Sequence, residues 1–123
     1  MWPQHWTISV SNSPKYSEVA FVCGPYRAGN GLSVLENIRN AEAVAIGLWR
    51  KGYVAFCPHK NTAHFDGILP DGAWLAGDMT MLARCDLLVT VPGWEQSEGA
   101  RAEVEWARSV AMPVCHDLDE IRG

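Results

Sequence analysis

No run of apolar residues in this chain approaches the ~20 that a membrane-spanning helix requires. Clusters of Lys or Arg are equally missing, and the formal net charge is −4. A protein that grips duplex nucleic acid neutralises phosphates with grouped cations, so duplex nucleic acid is not the expected partner. The four cysteines, Cys23, Cys57, Cys85 and Cys115, contain no Cys-x-x-Cys pair. Cys57, His59 and His64 come nearest to a ligand set, but their spacing fits no common zinc pattern. Neither a metal nor another cofactor is expected. The opening Met-Trp-Pro-Gln-His-Trp lacks a basic stretch followed by an apolar one, so it does not look like a secretory signal. There is no internal repeat and no low-complexity tract. A cytoplasmic protein with reduced thiols and a small-molecule ligand is the expectation left standing.

The chain has 123 residues, of which 48% are hydrophobic and 20% charged, which suits one packed domain. Residues 1–17 are rich in Ser, Pro, Asn and Trp without any period, and are expected to form an irregular arm carrying Trp2 and Trp6. A single domain is expected over residues 18–123.

Within that domain Val19-Ala-Phe-Val-Cys23 is a short continuous apolar run, the pattern of a buried strand. The loop 24–32 follows, marked by its Gly and Pro. Ser33 with Glu36 makes a capping box, and Leu35, Ile38, Ala41, Ala45 and Leu48 recur at helical spacing. Lys51-Gly52 closes that helix. Tyr53-Val-Ala-Phe-Cys57 is a second strand, and residues 58–70 are expected as a long polar loop. A helix is expected over about 71–84, with Leu75, Met79 and Leu82 on one side. Asp86-Leu-Leu-Val-Thr-Val91 is a third strand. Ser97 is placed to cap a helix over about 98–110, and Pro113-Val-Cys115 is a last short strand. The helical tryptophans Trp49, Trp74 and Trp106 are expected in the core.

Strands alternating with helices, each strand continuously apolar, predict a parallel sheet covered on both faces. The expected class is α/β, a Rossmann-like or flavodoxin-like three-layer sandwich with four to five strands. Ligands on such sheets bind beyond the carboxyl ends of the strands. Loops 24–33, 58–70 and 92–97 converge there, and they are also the most polar.

One residue fits its helix badly. In the segment after Ser97, Glu98, Arg101, Glu105 and Arg108 share a solvated face, with spacing that allows ion pairs. Ala100, Val104, Ala107 and Ala111 make the opposite, buried stripe. Glu103 lies against that stripe, flanked on its other side by Trp106 and Val110. An unpartnered carboxylate there costs several kcal/mol of desolvation. It either finds water at the helix edge or faces a cavity, and its place near the ligand edge of the sheet favours the cavity.

Three segments together resemble the nucleoside 2-deoxyribosyltransferase superfamily. They are Cys23-Gly-Pro-Tyr-Arg27 after a strand, Asp78 ahead of Asp86-Leu-Leu-Val, and Ser97-x-Gly-Ala-x-Ala-Glu103. Pro58-His-Lys-Asn-Thr-Ala-His64 and Val91-Pro-Gly-Trp94 are similar to signatures of its small DUF4406 branch. The resemblance spans about residues 19–115. It implies cleavage or transfer at the N-glycosidic bond of a (deoxy)nucleoside or nucleoside monophosphate. Glu103 would attack the anomeric carbon, Tyr26 would orient that carboxylate, and Asp78 would protonate or hold the base. Gly24, Arg27, Trp94, Ser97 and Gly99 would bind substrate, with a 5′-phosphate on Arg27, Ser97 and the helix N-terminus. The deoxynucleotide-hydrolysing branch carries Ser where Pro25 stands, so one phosphate contact is absent here. His59, Asn61 and His64, in a loop long enough to fold over the site, are expected to supply a hydrogen-bonding imidazole that helps protonate the leaving base. The resemblance also implies a homo-oligomer in which a neighbouring chain closes the site. Two readings from other classes stay open: a nucleotide-binding module without catalysis, and an accessory protein whose tryptophans serve an interaction surface.

Overall fold

A computed structural model of the chain describes residues 14–65 and 67–121. Trp2 and Trp6 lie outside the described residues; of the arm, Pro14–Ser17 is seen turning onto the domain, with Tyr16 N donating to Gly52 O. The elements are β1 (Val19–Cys23), α1 (Val34–Arg50), β2 (Val54–Phe56), α2 (Pro58–Asn61), α3 (Asp71–Ala83), β3 (Leu87–Thr90), α4 (Glu98–Ser109) and β4 (Val114–Cys115). The sheet is wholly parallel, in the order β2-β1-β3-β4. This is the expected α/β sandwich with four strands.

Two faces of one strand explain the layers. In β1 the side chains of Ala20 and Val22 join Ala41, Val44, Ala45 and Leu48 of α1. Phe21 and Cys23 point the other way and join Leu82 of α3 with Ala100, Val104 and Ala107 of α4. Period-2 alternation thus feeds two apolar clusters, one on each side of the sheet. The capping box of α1 forms as expected, with Ser33 Oγ accepting from Glu36 N and Glu36 Oε1 accepting from Ser33 N. Gly52 ends the turn after α1 at φ 91°, a conformation costly for any residue with a Cβ. No helix among the described residues is long and apolar enough to cross a membrane.

Several expectations on burial are corrected. Trp49 is 44% exposed. The inner stripe of α1 falls at Ala41, Val44, Ala45 and Leu48, one residue short of Trp49, which packs its ring on Tyr16 instead. Helix α3 sinks only Leu82 fully, because it meets the sheet at its C-terminal end and leaves its first turns beside the cavity. Ala111 is exposed because the helix has already ended, at φ 60°. The segment 58–70 is not loop throughout: Pro58, at the first helical position, starts the single turn α2. On α4 the charged face is solvated as expected, but among the described residues it forms no ion pairs. Arg101 donates to Glu95 O and Arg108 to His116 Nε2.

Candidate active site

From β1 the chain crosses to β2 on one side, whereas β3 lies on the other. The loops leaving the carboxyl ends of β1 and β3 therefore diverge, and a crevice opens between them, where doubly wound sheets bind ligands. Here it is a cavity of about 470 Å³, within the ordinary range for small-molecule sites. Gly24, Tyr26 and Arg27 line it from the first loop, His59 from α2, and Asp78 from α3. Ser97, Gly99 and Glu103 line it from α4 and its cap. Asn61, His64 and Trp94 do not line it. The turn of α2 carries His59 inward and Asn61 outward to a shallower depression beside Trp49, while His64 is exposed. Trp94 stacks on His116 at 5.3 Å between ring centres and steadies the loop before α4.

Glu103 projects from α4 toward the end of β1. Its Oε1 lies 3.3 Å from Cys23 Sγ, which also lies 3.4 Å from Ala100 O. Cys23 is fully buried, and burial together with the nearby Glu103 charge pushes its thiol far above the usual range. It therefore stays protonated and serves as a donor. Burial raises the Glu103 carboxyl to about 7; the Cys23 hydrogen bond offsets part of this and the Asp78 charge adds to it. Burial also raises Asp78 to about 6. Two carboxyl groups with displaced titrations thus share one cavity, a pattern that clusters at functional sites.

The first loop is tied down by a residue that pattern reading missed. Asn37 of α1 is buried, and its Nδ2 donates to Arg27 O at 3.0 Å and Tyr26 O at 3.2 Å. Asn30 Nδ2 donates in turn to Asn37 Oδ1. The only hint in the sequence was an amide next to the apolar stripe of a helix. Asn37→Ala leaves two loop carbonyls without their donor, at a cost of ~2 kcal/mol. Limited proteolysis is expected to cut the variant within residues 24–32 much faster than the parent, and equal rates would remove this role.

His59 is 5% exposed. Its Nε2 lies 2.8 Å from Pro25 O, and a carbonyl only accepts, so Nε2 carries the proton. Burial lowers its pKa, keeping the ring neutral. The remaining Nδ1 is a buried acceptor with no hydrogen-bond partner among the described residues. The one N–H of His59 thus holds the first loop through Pro25 O. Arg27 is also committed, pairing with Asp71 at 2.5 Å across the cavity mouth. Ser97 Oγ accepts from Ala100 N, capping α4.

A family model described as a domain of unknown function (DUF4406) matches residues 26–116. No curated protein matches the chain.

Proposed function

We propose that this chain, which belongs to the DUF4406 family, cleaves or transfers at the N-glycosidic bond of a (deoxy)nucleoside or nucleoside monophosphate. The observation that carries this reading is Glu103, a carboxylate largely withdrawn from water at the switch-point cavity and held by the Cys23 thiol. Its oxygen attacks the anomeric carbon as the bond to the base breaks. Asp78 supplies a proton to a neutral base, and water or a second base then resolves the glycosyl ester. Incubation with a panel of nucleosides and their monophosphates, followed by chromatography, is expected to yield free base. Tight binding without base release from any of them would establish instead the non-catalytic module, a reading favoured by the half-protonated state of Glu103 near neutral pH.

The pH profile follows from the two acids. Glu103 must be ionised, so its contribution grows as pH rises through about 7. Asp78 must be protonated, so its contribution is lost as pH rises through about 6. For a neutral base kcat/KM is expected to form a low bell with its maximum between these values. A profile still rising well above the Glu103 titration would remove Asp78 as the acid.

We further place the protein in the reducing cytoplasm, in keeping with four free cysteines of which three are buried. It works as a homo-oligomer. Ile68, Leu69, Leu75 and Met81 all stay exposed along α3 and the segment before it, an apolar surface beside the cavity that a neighbouring chain would cover. Sedimentation at micromolar concentration is expected to show a dimer or larger species; a monomer would overturn this.

A further inference from the structure

The cavity has an unbalanced charge. Asp71, Asp78, Glu98 and Glu103 line it, against Arg27 as the sole Arg or Lys in the lining among the described residues. Asp71 pairs with Arg27 in an ion pair exposed to solvent. Asp78, Glu98 and Glu103 form no ion pair among the described residues. The N-terminus of α4, which would attract an anion, has Glu98 as its first helical residue and gives the Ala100 N–H to Ser97. A phosphate entering here meets carboxylates, and the one cation it could reach already has a carboxylate beside it.

The uncharged groups point the same way. His59 Nδ1 is a nine-tenths-buried acceptor without a hydrogen-bond partner among the described residues, so it suits a donor on the ligand. Trp74 lines the cavity with an aromatic ring, whose face attracts cations, while the Tyr26 ring already carries Arg27 at 5.8 Å from its centre. An acceptor, carboxylates and an aromatic face together favour a ligand with hydroxyl donors and a positively charged ring.

We propose that the preferred substrate is an unphosphorylated glycoside of a cationic nitrogen heterocycle, such as an N-alkylated purine nucleoside or a pyridinium nucleoside, an inference that rests on the glycosidic reading above. The chemistry suits the site. A Glu103 oxygen forms a bond to C1′ while the C1′–N bond breaks. The bonding pair returns to the ring nitrogen and cancels its charge, so the heterocycle leaves neutral and needs no proton. Water then adds at C1′, the ester C–O bond breaks, Glu103 is restored as carboxylate, and one proton passes to solvent. A neutral base lacks this advantage, because Asp78 loses its proton before Glu103 does. The titratable groups around Glu103 are Cys23 from β1, His59 from α2, Asp71 and Asp78 from α3, Glu98 from α4, and Tyr26 and Arg27 from the first loop. Of these Arg27 alone is cationic, and it is paired.

Calorimetry with the full chain tests the preference on two matched pairs. They are N7-methylguanosine against guanosine, and nicotinamide riboside against its uncharged 1,4-dihydro form, each also as its 5′-monophosphate. The cationic nucleoside is expected to bind at least about tenfold more tightly than its partner at low salt. The gap narrows in Glu98→Gln, and each 5′-phosphate weakens binding. Base release from the cationic substrates is expected to rise with pH through the Glu103 titration without a falling limb. Equal or tighter binding of the neutral or phosphorylated partners overturns the proposal. Preferential cation binding without base release keeps the preference and removes the glycosidic reading. Base release from neutral nucleosides at equal efficiency keeps that reading and removes the preference.

Discussion

Glu103→Gln is expected to abolish base release, by at least about a thousandfold, while making the folded protein more stable at alkaline pH. The two effects share one cause. The amide keeps the shape of the side chain but offers no anionic oxygen to the anomeric carbon. It also carries no charge to desolvate. Glu103 titrates at about 7 in the folded chain, raised by burial from its ordinary value near 4.5. A group whose folded pKa is raised binds its proton more tightly in the native state. Its favourable contribution is complete below the unfolded value and is lost as pH rises through the folded one. The parent protein is therefore expected to lose stability between about pH 4.5 and above pH 7, by up to ~3 kcal/mol from this residue. In Glu103→Gln that part of the slope disappears. Urea unfolding at several pH values, beside the base-release assay, checks both halves. Near-parental turnover in Glu103→Gln would end the nucleophile assignment. An unchanged pH dependence of stability would show that the carboxylate is not buried at a cost. Strain of this kind, held at a site by the rest of the fold, is a common trade between stability and activity.

Gly24→Ala is the second substitution with a large expected effect. A Cβ built at Gly24 would sit 2.6 Å from Val91 Cβ and 2.8 Å from its Cγ2. Val91 is 1% exposed and packed in the α1-side core, and a Cβ does not move when a side chain rotates. The backbone at the end of β1 or of β3 must give way. These two ends are joined by the 2.7 Å bond from Val91 N to Cys23 O, and they form the floor of the crevice. Overpacking of this sort costs ~1–3 kcal/mol. Moving Cys23 and the first loop relative to α4 by even part of an ångström is expected to lower base release by roughly a hundredfold. Unfolding midpoints and the same assay test this. An alanine variant with parental stability and activity would mean that the sheet tolerates spreading at this point.

Much of this molecule is written in short-range patterns. The capping box Ser33–Glu36 and the Ser97 cap of α4 depend on residues three apart, so they were readable in the chain and form as read. The α/β layering follows from the alternation of continuous apolar runs with helical periods. Glu103 stood out because helical spacing alone sets it against an apolar stripe. The loops that carry the cavity were placed by the rule that ligands meet the carboxyl ends of parallel strands.

What escaped was set by contacts between distant parts of the chain. Cys23 reaches Glu103 across 80 residues, and Arg27 meets Asp71 across 44. No local period encodes either. The first contact makes a cysteine that looked like a plain core residue the donor to the key carboxylate. The second sets an aspartate beside the arginine that the family resemblance assigns to a phosphate. His59 and His64 looked alike in sequence, yet one turn of helix drives the first under Pro25 and leaves the second in solvent. The displaced titrations of Asp78 and Glu103 arise from burial, and burial is known only once β1, α3 and α4 have packed. Residue types and spacing established which groups could do chemistry here. Their protonation, their partners and the sign of the charge around them came from packing, because desolvation and pairing act through space and not along the chain.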